Sequence, residues 1–311
     1  MARIVAALGG NALGSTPDEQ RERAAEAAGA LAALIRQGHE LVVTHGNGPQ
    51  VGMIHIGLNC ASADSVIPAE IPFPECGAMS QGYIGYHLQN ALLRRLRAEG
   101  LAQEVCSLVT QVVVDAGDPA FLDPGKPVGA FYSEEEAVRR MAAGDGIYKE
   151  DAGRGWRKVV PSPHPVDIVE KDSVLALLRE GIVVVACGGG GIPVVKTGDG
   201  AYEGVSAVID KDYAAACLAS LVEADDLLIL TAVDRVCINF GRPGQLELKT
   251  VTADEAERYA DEGQFAAGSM LPKIRAAVSF VRSRPRRRAV ICSLDKAALA
   301  MSGGSGTVVT A

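Results

Sequence analysis

Short apolar runs alternate along the whole chain with longer runs that are rich in Ala and charged residues. Each apolar run is rich in Val, Ile or Leu, and most of them end at glycine or a polar turn. The runs cover residues 3–8, 41–44, 182–187, 227–231 and 289–292. Their length and composition indicate buried strands. Residues 104–114 are a further candidate strand, which we expect nearer an edge of the sheet.

The runs between these strands carry helix signals. Thr16 is a predicted N-cap, with Pro17 at the first helical position and Glu19 completing a capping box, and the helix that follows runs to residue 37. Capping boxes are also predicted at Ser133 and Thr252. Further predicted helices cover residues 81–99, 174–180, 212–221 and 273–281. Alternating strands and helices predict an α/β fold, a mostly parallel sheet with helices on both faces.

Residues 117–166 break this rhythm because they are rich in Pro, Gly and charge. They include the run Asp-Pro-Gly-Lys-Pro at residues 123–127 and a short predicted helix. A structureless loop of this length is improbable inside a compact domain. We therefore predict one domain over residues 1–311, with residues 117–166 inserted as a small protruding lid subdomain that covers the site.

The charge, the apolar runs and the cysteines of the chain limit its binding partners and its location in the cell. The net charge is −8, which argues against a nucleic-acid or membrane-surface partner, since either favours a basic face. No apolar run approaches the roughly 18 residues that span a bilayer. The seven cysteines are scattered and form no C-x-x-C pair, as expected for reduced thiols in a cytosolic protein. The first ten residues predict a strand rather than a signal peptide, so we expect a cytoplasmic protein.

Glycine clusters follow three of the predicted strands. Gly9 and Gly10 follow the first, Gly46 and Gly48 the second, and residues 188–191 a later one. Glycine lets the backbone approach a ligand closely, and a helix N-terminus after such a loop favours an anion. One such cluster alone is as well explained by a tight turn, but three at equivalent strand ends favour an anion site. The clusters match neither a Walker loop nor a dinucleotide fingerprint.

Seven segments, in order along the chain, resemble the carbamate kinases of the amino acid kinase family. They are Leu-Gly-Gly-Asn-Ala-Leu (8–13), His-Gly-Asn-Gly-Pro-Gln-Val-Gly (45–52), Met-Ser-Gln-Gly-Tyr (79–83), Ala-Cys-Gly-Gly-Gly-Gly-Ile-Pro (186–193), Val-Ile-Asp-Lys-Asp (208–212), Leu-Thr-Ala-Val-Asp (230–234) and Gly-Ser-Met-Leu-Pro-Lys (268–273). The second segment is a specific match. The ordered set extends the resemblance over essentially the whole chain.

This resemblance implies a three-layer αβα sandwich, usually dimeric, with the phosphoryl acceptor bound in the N-terminal half and the nucleotide in the C-terminal half. It implies an enzyme of arginine metabolism that catalyses the reversible reaction of ATP and carbamate to ADP and carbamoyl phosphate. Magnesium is expected to travel with the nucleotide, and the sequence leaves open which residues, if any, bind it directly.

The resemblance also implies roles for individual residues. Lys211 resembles the family lysine that lies between the two substrates, and Asp210 the acidic residue that orients such lysines. Many relatives that act on other substrates carry a lysine on the first strand, where this chain has Ala7. Lys126 matches the lid lysine of carbamate kinases, and we expect it to supply the charge that Ala7 does not.

Two further sets of binding residues follow from the same resemblance. The transferred group and the acceptor are expected on the backbone of Gly9, Gly10, Asn11, Gly46, Asn47 and Gly48. The nucleotide is expected at Lys273, Asp234, Gly268 and Met270.

Other residues leave alternatives open. His45 either contacts substrate or only caps the strand end, and Asp118 is expected to shape the entrance of the lid rather than act as a base. Arg235 and Cys237 stand where the nucleotide pocket of relatives carries other residues, and His164 where related lids often carry Lys. These departures bear on nucleotide affinity and lid closure rather than on the reaction class.

Three other functions compete with the carbamate kinase interpretation. The same scaffold serves kinases of acetylglutamate and of nucleoside monophosphates, and fold alone does not select among them. A non-catalytic nucleotide or metabolite sensor is the third. Ala7 disfavours the first two, and the retained Asp210, Lys211 and Lys273 disfavour the sensor.

Overall fold

The computed structural model describes residues 2–9, 14, 16–151 and 153–311. Its strands are β1 Arg3–Leu8, β2 Glu40–His45, β3 Val105–Ser107, β4 Gln111–Val114, β5 Lys126–Tyr132, β6 Ile147–Glu150, β7 Trp156–Val160, β8 Pro165–Ile168, β9 Val183–Val185, β10 Ile192–Lys196, β11 Tyr202–Gly204, β12 Asp226–Thr231, β13 Cys237–Ile238, β14 Leu246–Glu247, β15 Thr250–Thr252, β16 Arg288–Ser293 and β17 Thr307–Thr310. Its helices are α1 Pro17–Arg36, α2 Gly48–Ala63, α3 Phe73–Ala98, α4 Glu134–Ala142, α5 Lys171–Arg179, α6 Lys211–Leu221, α7 Ala253–Asp261, α8 Met270–Arg282 and α9 Ala297–Met301.

The central sheet has eight strands in the order β15-β17-β16-β12-β1-β2-β9-β3. Neighbouring strands run parallel throughout, except that β16 and β17 are antiparallel. The predicted α/β fold with a mostly parallel sheet is therefore confirmed. The predicted strands over residues 3–8, 41–44, 182–187, 227–231 and 289–292 all lie in this sheet as β1, β2, β9, β12 and β16.

Both faces of this sheet are covered by helices, and β1 shows why. Successive side chains of a strand point to opposite faces. Ile4 and Leu8 lie in a buried cluster with residues of α1 and α3, whereas Val5 and Ala7 lie in a second cluster with residues of α6 and α8. All four are fully buried. A strand whose residues after Arg3 are all apolar thus serves two cores, which makes the fold a three-layer sandwich.

Most predicted helix starts are found, with one correction. Thr16 and Glu19 form the reciprocal capping box of α1, and Thr252 does so for α7. At Ser133 the capping-box prediction is wrong. The hydroxyl of Ser133 accepts a hydrogen bond from the N–H of Glu136, but the Glu136 carboxylate binds two arginines of α4 instead of returning to the N-cap.

Two predicted boundaries also need correction. Residues 104–114 are not one strand: β3 lies at the edge of the central sheet, and β4 belongs to a separate sheet of order β11-β10-β4-β8. The helix predicted from residue 81 begins at Phe73, and the sequence did not indicate α2, which carries three glycines, Gly48, Gly52 and Gly57. Glycine lowers helix propensity, so tertiary packing decides this helix.

Within residues 117–166, strands β5, β7 and β6 form their own antiparallel sheet, with α4 beside it. This sheet has a small polar centre, where the Asp145 carboxylate accepts hydrogen bonds from Tyr148 Oη at 2.7 Å and Lys158 Nζ at 2.9 Å. It contacts the rest of the chain at α2, where Gly52 faces Gly129 of β5. Among the described helices, none is both long and apolar enough to cross a membrane.

Candidate active site

Four parallel strands, β12, β1, β2 and β9, end at the same edge of the central sheet, the edge formed by the carboxyl ends of its strands. Leu8, the last residue of β1, pairs with His45 of β2 and with Leu230 of β12, and these strands run parallel. Strand β9 continues the same edge next to β2. The loops that begin at Gly9 and Gly46 therefore start side by side, at the carboxyl ends of parallel strands where ligands of such sheets bind.

The glycine run at residues 188–191 is explained by close packing. A Cβ on Gly188 would collide with the imidazole of His45, one on Gly189 with the side chain of Asn47, and one on Gly190 with the backbone of Ile209. Gly189 and Gly190 also have positive φ angles of 69° and 96°. Side chains from other loops thus occupy the space that larger residues would need, and the run brings three loops together.

These loops enclose a cavity of about 240 Å³. Eight of the predicted site residues line it: Gly46, Asn47, Gly48, Lys126, Asp210, Lys211, Gly268 and Lys273. They come from the segment after β2, from β5, and from around the starts of α6 and α8, so residues far apart in sequence face one small space.

Two lysines of the cavity share one carboxylate. Lys211 Nζ lies 2.6 Å from Oδ1 of Asp212, and Lys273 Nζ lies 2.8 Å from Oδ2. Burial raises the pKa of Asp212, but the two ammonium groups outweigh it and hold the pKa below its usual value. Burial lowers the pKa of Lys211, and the charge of Lys273 adds to this effect, while Asp212 opposes it. Asp212 thus keeps two like charges close together.

Asp212 is a residue that sequence reasoning missed. It lies inside the segment 208–212, but no local pattern indicates that Lys273, 61 residues away, returns to it. The packing of α8 against α6 brings the two together.

Asp210 has a different set of contacts. It is the N-cap of α6, where Oδ1 accepts a hydrogen bond from the N–H of Asp212 at 2.9 Å. Its Oδ2 accepts from Lys126 Nζ at 2.7 Å. The expectation from sequence was that Asp210 orients Lys211. In the structure its carboxylate binds the lysine of the lid, and the ammonium of Lys211 is held by Asp212.

Arg157 is a second residue that sequence reasoning missed. It lies on β7 of the lid and lines the cavity beside Lys126. Its guanidinium donates to the carbonyl oxygen of Gly129 at 3.1 Å and to Asp151 at 3.2 Å, and its Nε is buried with no hydrogen-bond partner among the described residues. The lid therefore brings two cations to the cavity.

The loop of Gly46, Asn47 and Gly48 is held by a contact with α3. Asn47 is the N-cap of α2, and its side-chain amide donates to Ser80 Oγ of α3 at 2.8 Å. Ser80 is fully buried and donates in turn to the carbonyl oxygen of Gly77 at 2.7 Å. The segment 79–83 thus contributes by fixing Asn47 rather than by lining the cavity.

Several predicted residues lie elsewhere or outside the described residues. Gly10 and Asn11 belong to the part of the chain that is not described. A Cβ on Gly9 would lie 3.2 Å from the carbonyl oxygen of Leu230, which is a tight contact. Asp234 accepts from Ser293 Oγ at 2.6 Å and binds Lys296. Met270, the first residue of α8, packs against the core.

The residues that differ from the pattern of related proteins form contacts with nearby residues. Arg235 donates to the carbonyl oxygen of Gly306 at 3.2 Å, and Cys237 lies beside it in β13. Asp118 accepts from the N–H groups of Ala120 and His164, at 2.8 Å and 2.9 Å. Asp118 therefore links the two ends of the segment 117–166. Its contacts are those of a structural residue.

Comparison with known proteins gives a consistent result over the whole chain. The model of the amino acid kinase family matches residues 2–293. A carbamate kinase of Staphylococcus haemolyticus is 51% identical over 309 residues, 99% of each chain. A carbamate kinase-like protein of Escherichia coli is 52% identical over 307 residues, 99% of this chain and 98% of the relative.

A solved structure agrees with these sequence matches. The carbamate kinase from Giardia lamblia bound to AMP-PNP is 42% identical and superimposes with a TM-score of 0.91, covering 99% of this chain and 98% of that one. The chain belongs to the amino acid kinase family.

Proposed function

We propose that this protein is a carbamate kinase, which transfers a phosphoryl group reversibly between ATP and carbamate to give ADP and carbamoyl phosphate. The observation that carries the proposal is the cavity in which Lys211 and Lys273 share Asp212 beside the loop of Asn47. It occurs in a chain that is about half identical, over its full length, to carbamate kinases.

Phosphoryl transfer needs in-line positioning and neutralisation of charge on the transferred oxygens, with little covalent help from the protein. Lys126, Lys211, Lys273 and Arg157 outnumber the carboxylates of Asp210 and Asp212 at the cavity, so the site has net positive charge for an anionic substrate. Lys211 is 14% exposed and Lys273 12% exposed. Cations this shielded stabilise developing charge more strongly than cations in water.

The two halves of the chain take different substrates in this proposal. Gly46, Asn47 and Gly48 of the N-terminal half hold the carbamate group through backbone N–H groups, and Gly9, Gly10 and Asn11 cradle the transferred phosphoryl group. Gly268 and Lys273 of the C-terminal half bind the nucleotide phosphates, with Asp234 and Met270 beside the base. Asn47, Gly268 and Lys273 line the same cavity, which supports binding of both substrates next to each other.

The lid, residues 117–166, is proposed to close over the acceptor. Lys126 is half-buried and bound to Asp210, so the charge of the lid already rests against the N-terminus of α6. Substrate phosphate competes with Asp210 for this ammonium group. Closure excludes water and strengthens the electrostatic interactions inside the site.

Magnesium is proposed to enter with the nucleotide. Among the described residues, no group of three or more His, Cys, Asp or Glu side chains is arranged to hold a metal ion. The two carboxylates beside the cavity, Asp210 and Asp212, both bind lysine. This donor set fits a magnesium ion held mainly by nucleotide phosphates and water, as such ions commonly are. When bound, the ion neutralises charge on those phosphates.

The alternatives are not favoured. A kinase of acetylglutamate or of a nucleoside monophosphate would need room for a larger acceptor, and the relatives reported above at about half identity are described as carbamate kinases or carbamate kinase-like. A sensor would not need three lysines around one cavity. A cytoplasmic location and a homodimer remain part of the proposal. Helices α2 and α3 expose Met53, Met79 and Tyr86 by 52%, 45% and 62%, which suits a covered surface.

The test is an assay of ATP formation from ADP and carbamoyl phosphate in the presence of magnesium. We expect turnover by the native protein and at least about a hundredfold less with Lys211→Ala, the loss typical of removing one preorganised charge. ADP binding, measured by calorimetry, should change far less. Acetylglutamate and UMP should be poor acceptors from ATP. Robust acetylglutamate phosphorylation without activity on carbamoyl phosphate would overturn the proposal.

A further inference from the structure

His45 ends β2 directly before the loop of Gly46, Asn47 and Gly48, and it is only 1% exposed. Its Nδ1 lies 2.9 Å from the carbonyl oxygen of Gly46. A carbonyl oxygen only accepts hydrogen bonds, so Nδ1 carries the proton and donates it. Burial, with a smaller contribution from the charge of Lys211, lowers the pKa of His45 to about 4. The imidazole is therefore neutral near pH 7 and holds one tautomer.

The ring is also fixed from its other side. Gly188 packs directly on it, so closely that a Cβ at this position would collide with Nε2 and Cε1 of the imidazole. The φ angle of Gly188 is not positive, so the backbone does not require glycine there. The requirement is the space that His45 occupies. The imidazole is thus clamped between the Gly46 carbonyl group and the glycine run.

The contact between the imidazole of His45 and the carbonyl group of Gly46 also sets the direction of the Asn47 N–H. The carbonyl of Gly46 and the N–H of Asn47 belong to one planar peptide unit, and in a trans unit they point in opposite directions. No described peptide bond is cis. Because the Gly46 oxygen faces the imidazole, the Asn47 N–H points away from it. Gly46, Asn47 and Gly48 line the cavity, and no described residue accepts a hydrogen bond from the Asn47 N–H.

We propose that His45 is a positioning residue, which holds the Gly46–Asn47 peptide so that the Asn47 N–H donates to an anionic oxygen of the substrate. His45 itself does not touch the substrate. The identity of that substrate as carbamoyl phosphate rests on the proposed function, whereas the orientation of the amide group does not. The same amide should therefore respond to any small oxyanion in the cavity.

Two variants of His45 separate this role from simple packing. His45→Phe keeps a planar ring but removes the donor, whereas the side-chain amide of His45→Asn still donates to the Gly46 oxygen. In His45→Phe we expect the KM for carbamoyl phosphate to rise about tenfold or more, the effect of losing a hydrogen bond to a charged group. ADP binding should stay close to that of the native protein, and His45→Asn should recover much of the loss.

Gly188→Ala should also break the hydrogen bond between His45 and the Gly46 oxygen, by a different change. It keeps the imidazole but pushes it from its place, so the acceptor defect should appear with His45 intact. Adding His45→Asn to Gly188→Ala makes room for the new methyl group and should restore acceptor affinity. These variants keep the test available if His45→Phe does not fold.

A readout without catalysis uses selective labelling with [15N]asparagine. The chain has five asparagines, Asn11, Asn47, Asn59, Asn90 and Asn239, so few backbone amide peaks need assignment. Titration with inorganic phosphate should shift the Asn47 peak in the native protein and in His45→Asn, but not in His45→Phe. A saturable shift in a protein that does not turn over carbamoyl phosphate would leave this proposal standing while the proposed function fails.

Two results would overturn the proposal. One is an Asn47 amide peak that does not respond to phosphate in the native protein. The other is equal loss of carbamoyl phosphate and ADP affinity in both His45 variants, which would show that His45 supports the fold as a whole.

Discussion

Lys211 and Asp212 are neighbours in sequence and partners in space, with Nζ of the lysine 2.6 Å from Oδ1 of the aspartate. The other oxygen of the same carboxylate binds Lys273. Asp212 is 4% exposed on its side chain. A buried carboxylate that pairs with two cations is costly to remove, because it leaves both ammonium groups without compensation.

Asp212→Asn should therefore lower kcat by about a hundredfold, since both lysines lose the group that places them. It should also move the alkaline limb of the kcat profile to lower pH. The pKa of Lys211 is already lowered by burial, and removing the adjacent negative charge lowers it further. The ammonium group then loses its proton at lower pH. The measurement is kcat against pH for both proteins.

Asp226→Asn is the matched control. Asp226 is equally buried at 4%, and it pairs with Arg288, but it lies at the amino end of β12, away from the cavity. We expect Asp226→Asn to reduce the free energy of unfolding and to leave kcat unchanged. Similar losses of kcat in both variants would show that Asp212 contributes only to stability.

Lys126→Ala should impair turnover and the use of carbamoyl phosphate, by about a hundredfold, while ADP affinity stays nearly unchanged. Lys126 contacts Asp210 at the N-terminus of α6, and we propose that it acts on the phosphoryl acceptor. Steady-state kinetics beside calorimetric ADP binding measure the two effects. Lys149 is a suitable control, because it lies in the same lid sheet and pairs with an aspartate, Asp123, outside the cavity. A silent Lys126→Ala, or an equally damaging Lys149→Ala, would contradict the assignment.

Arg157→Ala should raise the KM for carbamoyl phosphate about tenfold, because it removes a cation with a buried Nε from the wall of the cavity. Arg154→Ala is the matched variant. Both arginines bind Asp151, and both stack on the ring of Phe131, at 5.0 Å and 5.1 Å, but Arg154 does not line the cavity. If the two variants behave alike, Arg157 acts through the stability of the lid.

His45 predicts a specific dependence of stability on pH. Its pKa is lowered from 6.5 to about 4 by burial, so the unfolded chain binds a proton that the folded chain does not between these values. The free energy of unfolding therefore falls as the pH is lowered through this window. Between about pH 7.5 and pH 5 the native protein should lose about 2 kcal/mol from this residue alone.

His45→Asn should not show that part of the loss, because the variant has no imidazole to protonate. Urea unfolding of both proteins at the two pH values measures this loss. The free energy of unfolding should depend on urea concentration with the same slope in both proteins, so that the values can be compared. Equal losses in the two proteins would mean that His45 is not neutral by burial in the folded state.

The strand and helix pattern of this chain follows from its sequence. Five of the six residues of strand β1 are apolar, and such a run is stable only where both faces of a parallel sheet are covered. The capping box at Thr16 and Glu19 marks the start of α1 without any tertiary contact. Gly9 and Gly46 directly follow predicted strands, which is also visible in the sequence alone. The side of the sheet at which the candidate site lies was therefore predictable.

Contacts between distant segments needed the tertiary structure. Asp212, Arg157 and the pairing of Lys126 with Asp210 depend on how α8 and the lid pack against α6, and no periodicity in one sequence records which partner a charged side chain meets. Helix α2, with its three glycines, forms against α3 and the lid despite poor local propensity. The layers of this fold, and the edge of the sheet at which the candidate site lies, could be predicted from sequence alone. Only the packing of distant elements decided which carboxylate holds which lysine, because burial and ion pairing are set by neighbours in space.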